Sequence, residues 1–207
     1  MEKTYTTKEK IENWLYYNWW IPVLVLFLLA VGGSMIVARS EQDRSKADYR
    51  VAYVGYAVLD EETLAGLEKA FASRGADLNS DGRVTVSIAQ YITGEQSGFA
   101  DAFYGRAAEV ALLADVDAGE SYFYLLDEPD AFQRSLLLLA NPDGSPTAEG
   151  DFDVSDKVFA CADLPAFAGL ETENPLYLGR RCFLNPDMEA NSPENAALWQ
   201  ALTGNVS

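Results

Sequence analysis

The sequence predicts an α/β domain with a largely parallel sheet of about four to five strands, preceded by one membrane-spanning helix. Two observations carry this prediction. Residues 13–38 contain no charged side chain, and in residues 49–207 strand-like runs alternate with helical apolar patterns. Such alternation is typical of βαβ units, whose neighbouring strands are parallel. The chain thus divides into a tail at 1–12, an anchor at 13–38, a linker at 39–48 and a domain at 49–207.

The apolar segment 13–38 has the length of a transmembrane helix, because about 20 residues cross a hydrocarbon core of roughly 30 Å. Trp14, Trp19 and Trp20 lie at its N-terminal end, where aromatic rings prefer the headgroup layer. Similar numbers of Lys and Arg flank both ends, so charge alone does not set the orientation. A short tail before a long domain favours a retained signal anchor with a cytoplasmic tail and an extracytoplasmic domain. A cleaved signal peptide is the alternative, and its apolar region is usually only about 7 to 15 residues.

Strand and helix signals follow one another through the domain. β-Forming runs predict strands at 50–56, 83–92, 121–126, 157–162 and 177–183. Apolar spacing of three to four residues predicts helices at 60–75, 98–115, 127–140 and 193–203. The second helix is expected to face the core with Phe99, Ala102, Phe103, Ala107, Val110 and Leu113. Ser192 is the predicted N-cap of the last helix, with Pro193 at its first position.

Composition limits the classes of partner. The chain has 15 Lys and Arg against 32 Asp and Glu, a formal net charge of −17, and residues 51–207 hold 26 of these acids but only eight basic side chains. The negative electrostatic field of these acids opposes the binding of nucleic acid, because phosphate binding needs clustered Lys and Arg. The chain has no histidine, which removes the commonest general base and zinc ligand. Cys161 and Cys182 lie in apolar runs and are expected to be free core residues, with a disulfide between them as the alternative in an exported domain.

The most specific local motif is the sequence DLNSDGRVT at 77–85. It places oxygen ligands at the first, third and fifth positions of a calcium loop, Gly82 at the sixth, and a carbonyl at the seventh. The predicted metal site consists of Asp77, Asn79, Asp81, Arg83 and Thr85. The twelfth position, Ile88, lacks the bidentate carboxylate, so we expect weak binding. The alternative is a turn whose Asp and Asn side chains bind the backbone.

Seven stretches carry a resemblance that covers nearly the full length: ENWLYYNWW, ADYRVAYVG, DLNSDGRVTVSIAQY, GESYFYLLDEPDAFQ, DVSDKVFACADLPAFAGL, LYLGRR and ENAALWQALTG. Together they resemble a group of single-pass membrane-anchored proteins of Gram-positive anaerobes. This resemblance implies a tail inside and a domain outside, and it implies no activity. The order of elements is also loosely similar to one lobe of the extracellular solute-binding proteins of ABC transporters. That similarity implies a ligand cleft at the C-terminal strand ends, near Gly55, 92–94 and Asp127.

Motifs of enzymatic chemistry are missing from the sequence. It contains no G-x-S-x-G elbow, Ser-x-x-Lys, Walker loop or G-x-G-x-x-G, and no catalytic residue is predicted. We predict a non-enzymatic extracytoplasmic domain that binds a protein partner or small ligand, with calcium as its only candidate cofactor. A degenerate solute-binding lobe that works with a transporter is the first alternative. The second is a hydrolase that uses paired carboxylates from the acid clusters near residues 60, 115, 127 and 151. The adjacent Arg180 and Arg181 are expected either to pair with acids or to bind an anionic ligand.

Overall fold

The strands and helices of the described residues lie in the second of two units of the chain, which begins at Ala47. A computed structural model describes Tyr16 and residues 46–93, 99–185 and 187–204, with only the backbone described for 99–104. The chain divides between Lys46 and Ala47. Among the described residues no helix is both long enough and apolar enough to cross a membrane. Apart from Tyr16, the predicted tail and anchor at 1–38 lie outside the described residues.

The described residues form five strands and four helices. In chain order they are β1 Tyr49–Gly55, α1 Glu61–Ala72, β2 Val86–Ile92, α2 Phe99–Ala118, β3 Phe123–Leu126, α3 Pro129–Leu136, β4 Val158–Ala160, β5 Tyr177–Arg180 and α4 Pro193–Thr203. Two 3₁₀ turns, Cys161–Asp163 and Pro165–Phe167, lie between β4 and β5. The prediction of one α/β domain is confirmed.

The five strands form one mixed sheet with the order β2-β1-β3-β5-β4. β1 is parallel to both β2 and β3, whereas β5 is antiparallel to both β3 and β4. The sheet is therefore parallel across β2, β1 and β3 and antiparallel on both sides of β5, which differs from the largely parallel sheet that we expected. Parallel neighbours usually need a helical crossover. The segment between β4 and β5 forms 3₁₀ turns instead, so β5 returns beside β4 in the opposite direction.

Helices cover both faces of the sheet, and alternate residues of β1 contribute to each core. One face packs Val51 and Tyr53 against Leu67 and Phe71 of α1 and against Trp199 of α4. The opposite face packs side chains of α2 and α3 against the sheet, and its buried residues are Ala52, Val54, Leu112, Tyr124, Leu126, Phe132, Leu139 and Val154. α1 and α2 thus lie on opposite faces.

Helix ends follow their capping residues. The Asp60 carboxylate accepts a hydrogen bond from the backbone N–H of Thr63 at 2.8 Å and starts α1. Ser192 accepts one from Asn195 at 3.2 Å and starts α4, as predicted. α3 is shorter than the predicted 127–140 because Leu137 adopts a left-handed conformation with φ of 51°. Leu139 and Ala140 beyond it form isolated bridges.

The predicted inward face of α2 is wrong where its side chains are described. Val110 and Leu113 are 67% and 49% exposed, whereas Leu112 and Asp115 are buried. The C-terminal half of α2 is rich in Ala, Val and Leu, so more than one stripe satisfies a three-to-four spacing. The buried Asp115 carboxylate accepts hydrogen bonds from buried polar groups. A purely apolar helix face would leave those groups unpaired.

Candidate functional site

The sheet topology leaves a crevice at the C-terminal ends of β1 and β3. These adjacent strands are parallel, yet the chain leaves β1 for α1 on one face and leaves β3 for α3 on the other. Such a divergence is a topological switch point, outside which ligands of α/β proteins commonly bind.

A cavity of about 500 Å³ lies at this crevice. It is lined by Val54, Gly55, Tyr56, Thr93, Glu109, Leu112, Leu113, Asp127, Glu128, Ala131, Phe132, Ser135 and Leu136. Its volume falls within the range of about 300 to 1,000 Å³ for small-molecule sites. Strand ends supply one wall, and α2 and α3 supply the other.

Asp127 joins the ends of the two strands. Its Oδ2 atom lies 3.0 Å from the Tyr53 hydroxyl and accepts a hydrogen bond from the backbone N–H of Tyr56, also at 3.0 Å. A Cβ atom at Gly55 would collide with the Tyr53 hydroxyl and Asp127 Oδ2, so only glycine permits this close approach. Asp127 Oδ1 accepts no hydrogen bond from the described residues, which leaves one charged oxygen beside the cavity.

The electrostatic field of the cavity is negative. Glu109, Asp127 and Glu128 line it, and no Lys or Arg is among its described lining residues. Burial, together with the charges of Glu128 and Asp127, raises the pKa of Tyr56. Burial, with the neighbouring Asp127, raises the pKa of Tyr53 as well. Both phenols therefore stay neutral at physiological pH, and the carboxylates determine the field.

A second cavity, of about 370 Å³, lies on the other side of the turn at 127–128. Its lining residues are Asp127, Glu128, Pro129, Asp130, Val154, Ser155, Val158, Ala160 and Tyr177. Because β5 runs antiparallel, its first residue meets the last residues of β3 and β4 at the same edge of the sheet. The acidic turn therefore borders a cavity on each side.

The predicted calcium loop lies before β2, at the opposite edge of the sheet. The backbone N–H of Asp81 donates to Asp77 Oδ1 at 3.2 Å and to Asn79 Oδ1 at 2.9 Å, so these two oxygens converge. Asp77 Oδ2 accepts from Gly82, and Asp81 Oδ1 accepts from Arg83, each at 2.8 Å. Within the described residues no group of three or more His, Cys, Asp or Glu could hold a metal ion.

Sequence reasoning missed Asp48, which holds this loop. Its Oδ1 atom accepts from the backbone N–H groups of Leu78 and Asn79, at 2.8 and 3.1 Å. Its Oδ2 atom accepts from the N–H and hydroxyl of Thr85, at 2.7 and 3.0 Å. Burial works to raise the pKa of Asp48, but these hydrogen bonds outweigh it and lower the pKa. Thr85, a predicted metal residue, thus uses its hydroxyl for Asp48.

The acid cluster at 151–156 surrounds a lysine of the same chain. Lys157 is buried, and its ammonium group lies 3.1 Å from Asp151 Oδ2, 3.3 Å from Asp156 Oδ1 and 2.6 Å from the Asp153 carbonyl. Burial works to lower the pKa of Lys157, and its carboxylate partners raise it. These contacts account for the cluster at 151–156, which therefore needs no ligand.

In the cluster at 115–120, Asp115 and Glu120 have partners in the chain. Buried Asp115 accepts hydrogen bonds from the hydroxyls of Ser121 at 2.7 Å and Tyr91 at 3.0 Å. Glu120 pairs with Arg50 at 2.5 Å. Asp115 thus acts as an internal acceptor that joins α2 to β2.

The arginine pair binds carbonyl oxygens rather than carboxylates in the described part of the chain. Arg180 donates to Pro142 at 2.5 Å, and its guanidinium lies 5.2 Å from the centre of the Trp199 ring. Arg181 donates to the carbonyl of Val116, near the end of α2, at 2.6 Å. A guanidinium near a helix C-terminus interacts favourably with the helix dipole.

Cys161 and Cys182 are buried and unpaired, as expected. Burial raises the pKa of the Cys161 thiol to about 12 and also raises that of Cys182. Both cysteines therefore act as small core residues rather than as nucleophiles.

Comparisons with protein-family models, with curated proteins and with solved structures gave no match to this chain. The crevice near Gly55, 92–94 and Asp127 was expected from the order of elements, and Gly55, Thr93 and Asp127 do line the cavity. Glu109 and the apolar side chains of α2 and α3 were missed. Their contribution depends on how the helices rotate over the sheet, and the inward face of α2 was assigned wrongly.

Proposed function

We propose that this protein is a non-enzymatic ligand-binding domain, held at the extracytoplasmic face of a cell membrane by the apolar segment 13–38. The observation that supports binding is the cavity of about 500 Å³ at the switch point. Its wall is largely apolar, and the carboxylates on it form no ion pair with the described residues. A site of this kind orients a ligand through a few polar groups and gains affinity by apolar contact.

The binding test uses the full chain in neutral detergent micelles and a fragment library, with amide chemical shifts as the readout. We expect hits to shift the resonances of Gly55, Thr93 and Ala131 together. Ala131→Phe places a ring at the cavity wall and should abolish these shifts. Ala197→Phe is the matched control, because Ala197 is also an exposed helical alanine and lies outside the cavity lining. Shifts that scatter over the surface, or that persist in Ala131→Phe, would contradict the proposed site.

The membrane placement needs its own experiment, because it depends on the apolar segment 13–38 and on the short tail that precedes it. Intact cells that express the full chain should lose the domain to added protease, and alkaline carbonate washing should leave the chain in the membrane. Protection from protease would place the domain inside. Release by carbonate would indicate a cleaved or peripheral protein.

A solute-binding lobe that works with a transporter is the first alternative, and the crevice at the strand ends favours it. It predicts that ligand increases association of the domain with a transporter in the same membrane, measured by cross-linking with and without ligand. A carboxylate-dependent hydrolase is the second alternative. It predicts turnover of a glycoside substrate that Glu109→Gln or Glu128→Gln abolishes.

The predicted calcium site at 77–85 belongs to this proposal as a structural element. Asp77 Oδ1 and Asn79 Oδ1 converge on one N–H group, and Ser80 and Gly82 have φ of 59° and 87°. These two oxygens therefore lie close together, and the sequence places them at the first and third positions of a calcium loop. The loop supplies only two carboxylates, so weak binding of about 10⁻⁴ to 10⁻³ M is expected. The corresponding experiment is a calcium titration of thermal stability.

A further inference from the structure

The three acids that line the cavity form no ion pair with the described residues. Lys157 neutralises Asp151 and Asp156, and Arg50 pairs with Glu120. Glu109 and Glu128 form no ion pair with the described residues, and one oxygen of Asp127 accepts no hydrogen bond from them. Three carboxylates and no Lys or Arg lie among the described lining residues, so a positive charge from a ligand would complement the negative field of the cavity.

The remaining wall of the cavity is apolar. Val54, Leu112, Phe132 and Leu136 contribute to it, and the first three are buried side chains of the same core. A metal ion or a polyamine alone would leave this surface in contact with water, whereas an organic body would cover it. The volume of about 500 Å³ accommodates such a body.

The cavity lining also includes exposed apolar surface and an aromatic ring. Leu113 is 49% exposed and lines the cavity, and Val110 lies one turn before it on α2 with 67% exposure. Tyr56 is 49% exposed and lines the cavity beside Glu128 and Asp127. A tyrosine ring attracts an organic cation through its π face. An anionic ligand would meet three carboxylates and no Lys or Arg among the described lining residues.

We propose that the ligand of this cavity is an organic ammonium with an apolar body, whose charge lies among Glu109, Asp127 and Glu128 and whose body packs on Leu112, Phe132 and Leu136. This inference rests on the proposed function, because it names the chemical class of ligand for the same site. The apolar wall supplies affinity, and the carboxylates select the charge.

Three probes of nearly the same shape test the charge: phenethylammonium, 2-phenylethanol and 3-phenylpropionate. Each is titrated into the full chain in neutral detergent at low salt, with the amide shifts of Gly55, Thr93 and Ala131 as the readout. We expect phenethylammonium to bind at least tenfold more tightly than 3-phenylpropionate, with the alcohol between them. Raising the salt concentration to about 0.5 M should narrow this difference, because exposed charges are screened.

Variants that replace carboxylates by amides test whether the charge of the cavity, rather than its shape, selects the ligand. The double variant Glu109→Gln, Glu128→Gln should raise the dissociation constant of phenethylammonium about tenfold. It should change the dissociation constant of 2-phenylethanol by no more than about twofold. Glu149→Gln, Glu171→Gln is the control, because it removes two exposed acids that do not line the cavity. Equal binding of the three probes, or tighter binding of the acid, would overturn the ammonium inference and leave the site intact. If no probe shifts the cavity resonances, the inference fails, and the fragment screen decides the proposed function separately.

Discussion

Carboxylates gather at both ends of the sheet, but their surroundings differ. At the N-terminal end, Asp48 and Asp77 accept hydrogen bonds from backbone N–H groups of the loop before β2. At the C-terminal end, Glu109 and Glu128 line a cavity whose described lining contains no Lys or Arg. The acids at the first end thus have backbone partners, whereas those that line the cavity at the second end form no ion pair with the described residues. We therefore expect acids at the first end to stabilise the fold and acids at the second end to bind ligand.

The largest predicted effect is on stability, at the N-terminal end. Asp48→Ala removes four hydrogen bonds to one carboxylate. Because hydrogen bonds to charged groups contribute about 1.5–3 kcal/mol when buried, and Asp48 is only partly buried, we expect a loss of about 2–3 kcal/mol in the free energy of unfolding. Chemical unfolding of the full chain in detergent measures it.

The matched control for Asp48→Ala is Asp143→Ala, because the Asp143 carboxylate accepts from one backbone N–H group, that of Ser145. The free energy of unfolding of Asp143→Ala should be close to that of the parent. Neither variant should change the affinity for phenethylammonium. A small effect of Asp48→Ala on stability, or a clear effect on ligand affinity, would remove the distinction between the two ends.

The pH dependence of stability sharpens the same contrast. The pKa of Asp48 is lower in the folded chain than its ordinary value, because its hydrogen bonds favour the carboxylate. Its stabilisation is therefore complete above the unfolded pKa of about 3.9 and is lost as the pH falls through the lower folded value. Thermal melts between about pH 5 and 2 should show a shallower loss in Asp48→Asn than in the parent. Parallel curves would show that Asp48 does not carry the acid sensitivity.

The sequence predicts best the elements whose ends are marked by local chemistry. α4 begins and ends as predicted because Ser192 caps it and Pro193 occupies its first position. β1 differs from its prediction by one residue at each end, since its apolar run is continuous. α3 ends early because Leu137 adopts a left-handed conformation, for which its side chain gives no signal.

Features that depend on distant residues were not predictable in the same way. Asp48 reaches Thr85 across 37 positions, and no local pattern marks that pair. The antiparallel direction of β5 follows from the irregular segment between β4 and β5, and the residues of β5 itself do not indicate it. For the candidate site, the strand ends Gly55 and Asp127 could be predicted because parallel strands share an edge. The helical wall that includes Glu109 could not be predicted, because several sets of apolar residues along α2 have the spacing of a core-facing side.

Calcium provides a third, smaller effect at the N-terminal end. With a dissociation constant of about 1 mM, 10 mM calcium should add about 1.4 kcal/mol to the free energy of unfolding. For a domain of this size that is a rise of roughly 3–6 °C in Tm. The measurement is a thermal melt of the full chain in calcium and in chelator. Asp77→Asn, Asp81→Asn should abolish the rise, whereas Glu109→Gln at the other end should retain it. No rise in the parent would leave this loop as a hydrogen-bonded turn.

The smallest predicted change in stability is at the C-terminal end. Glu128 is the N-cap residue of α3, where the helix N-terminus favours a carboxylate, but it also lies near Asp127 and Asp130 and forms no ion pair with the described residues. Glu128→Gln removes both effects, so the free energy of unfolding should change by less than about 0.5 kcal/mol, while phenethylammonium binding weakens. Chemical unfolding at low and high salt provides the check, because salt screens both effects. A clear loss of stability would mean that Glu128 has a structural partner and that the two ends of the sheet use their acids alike.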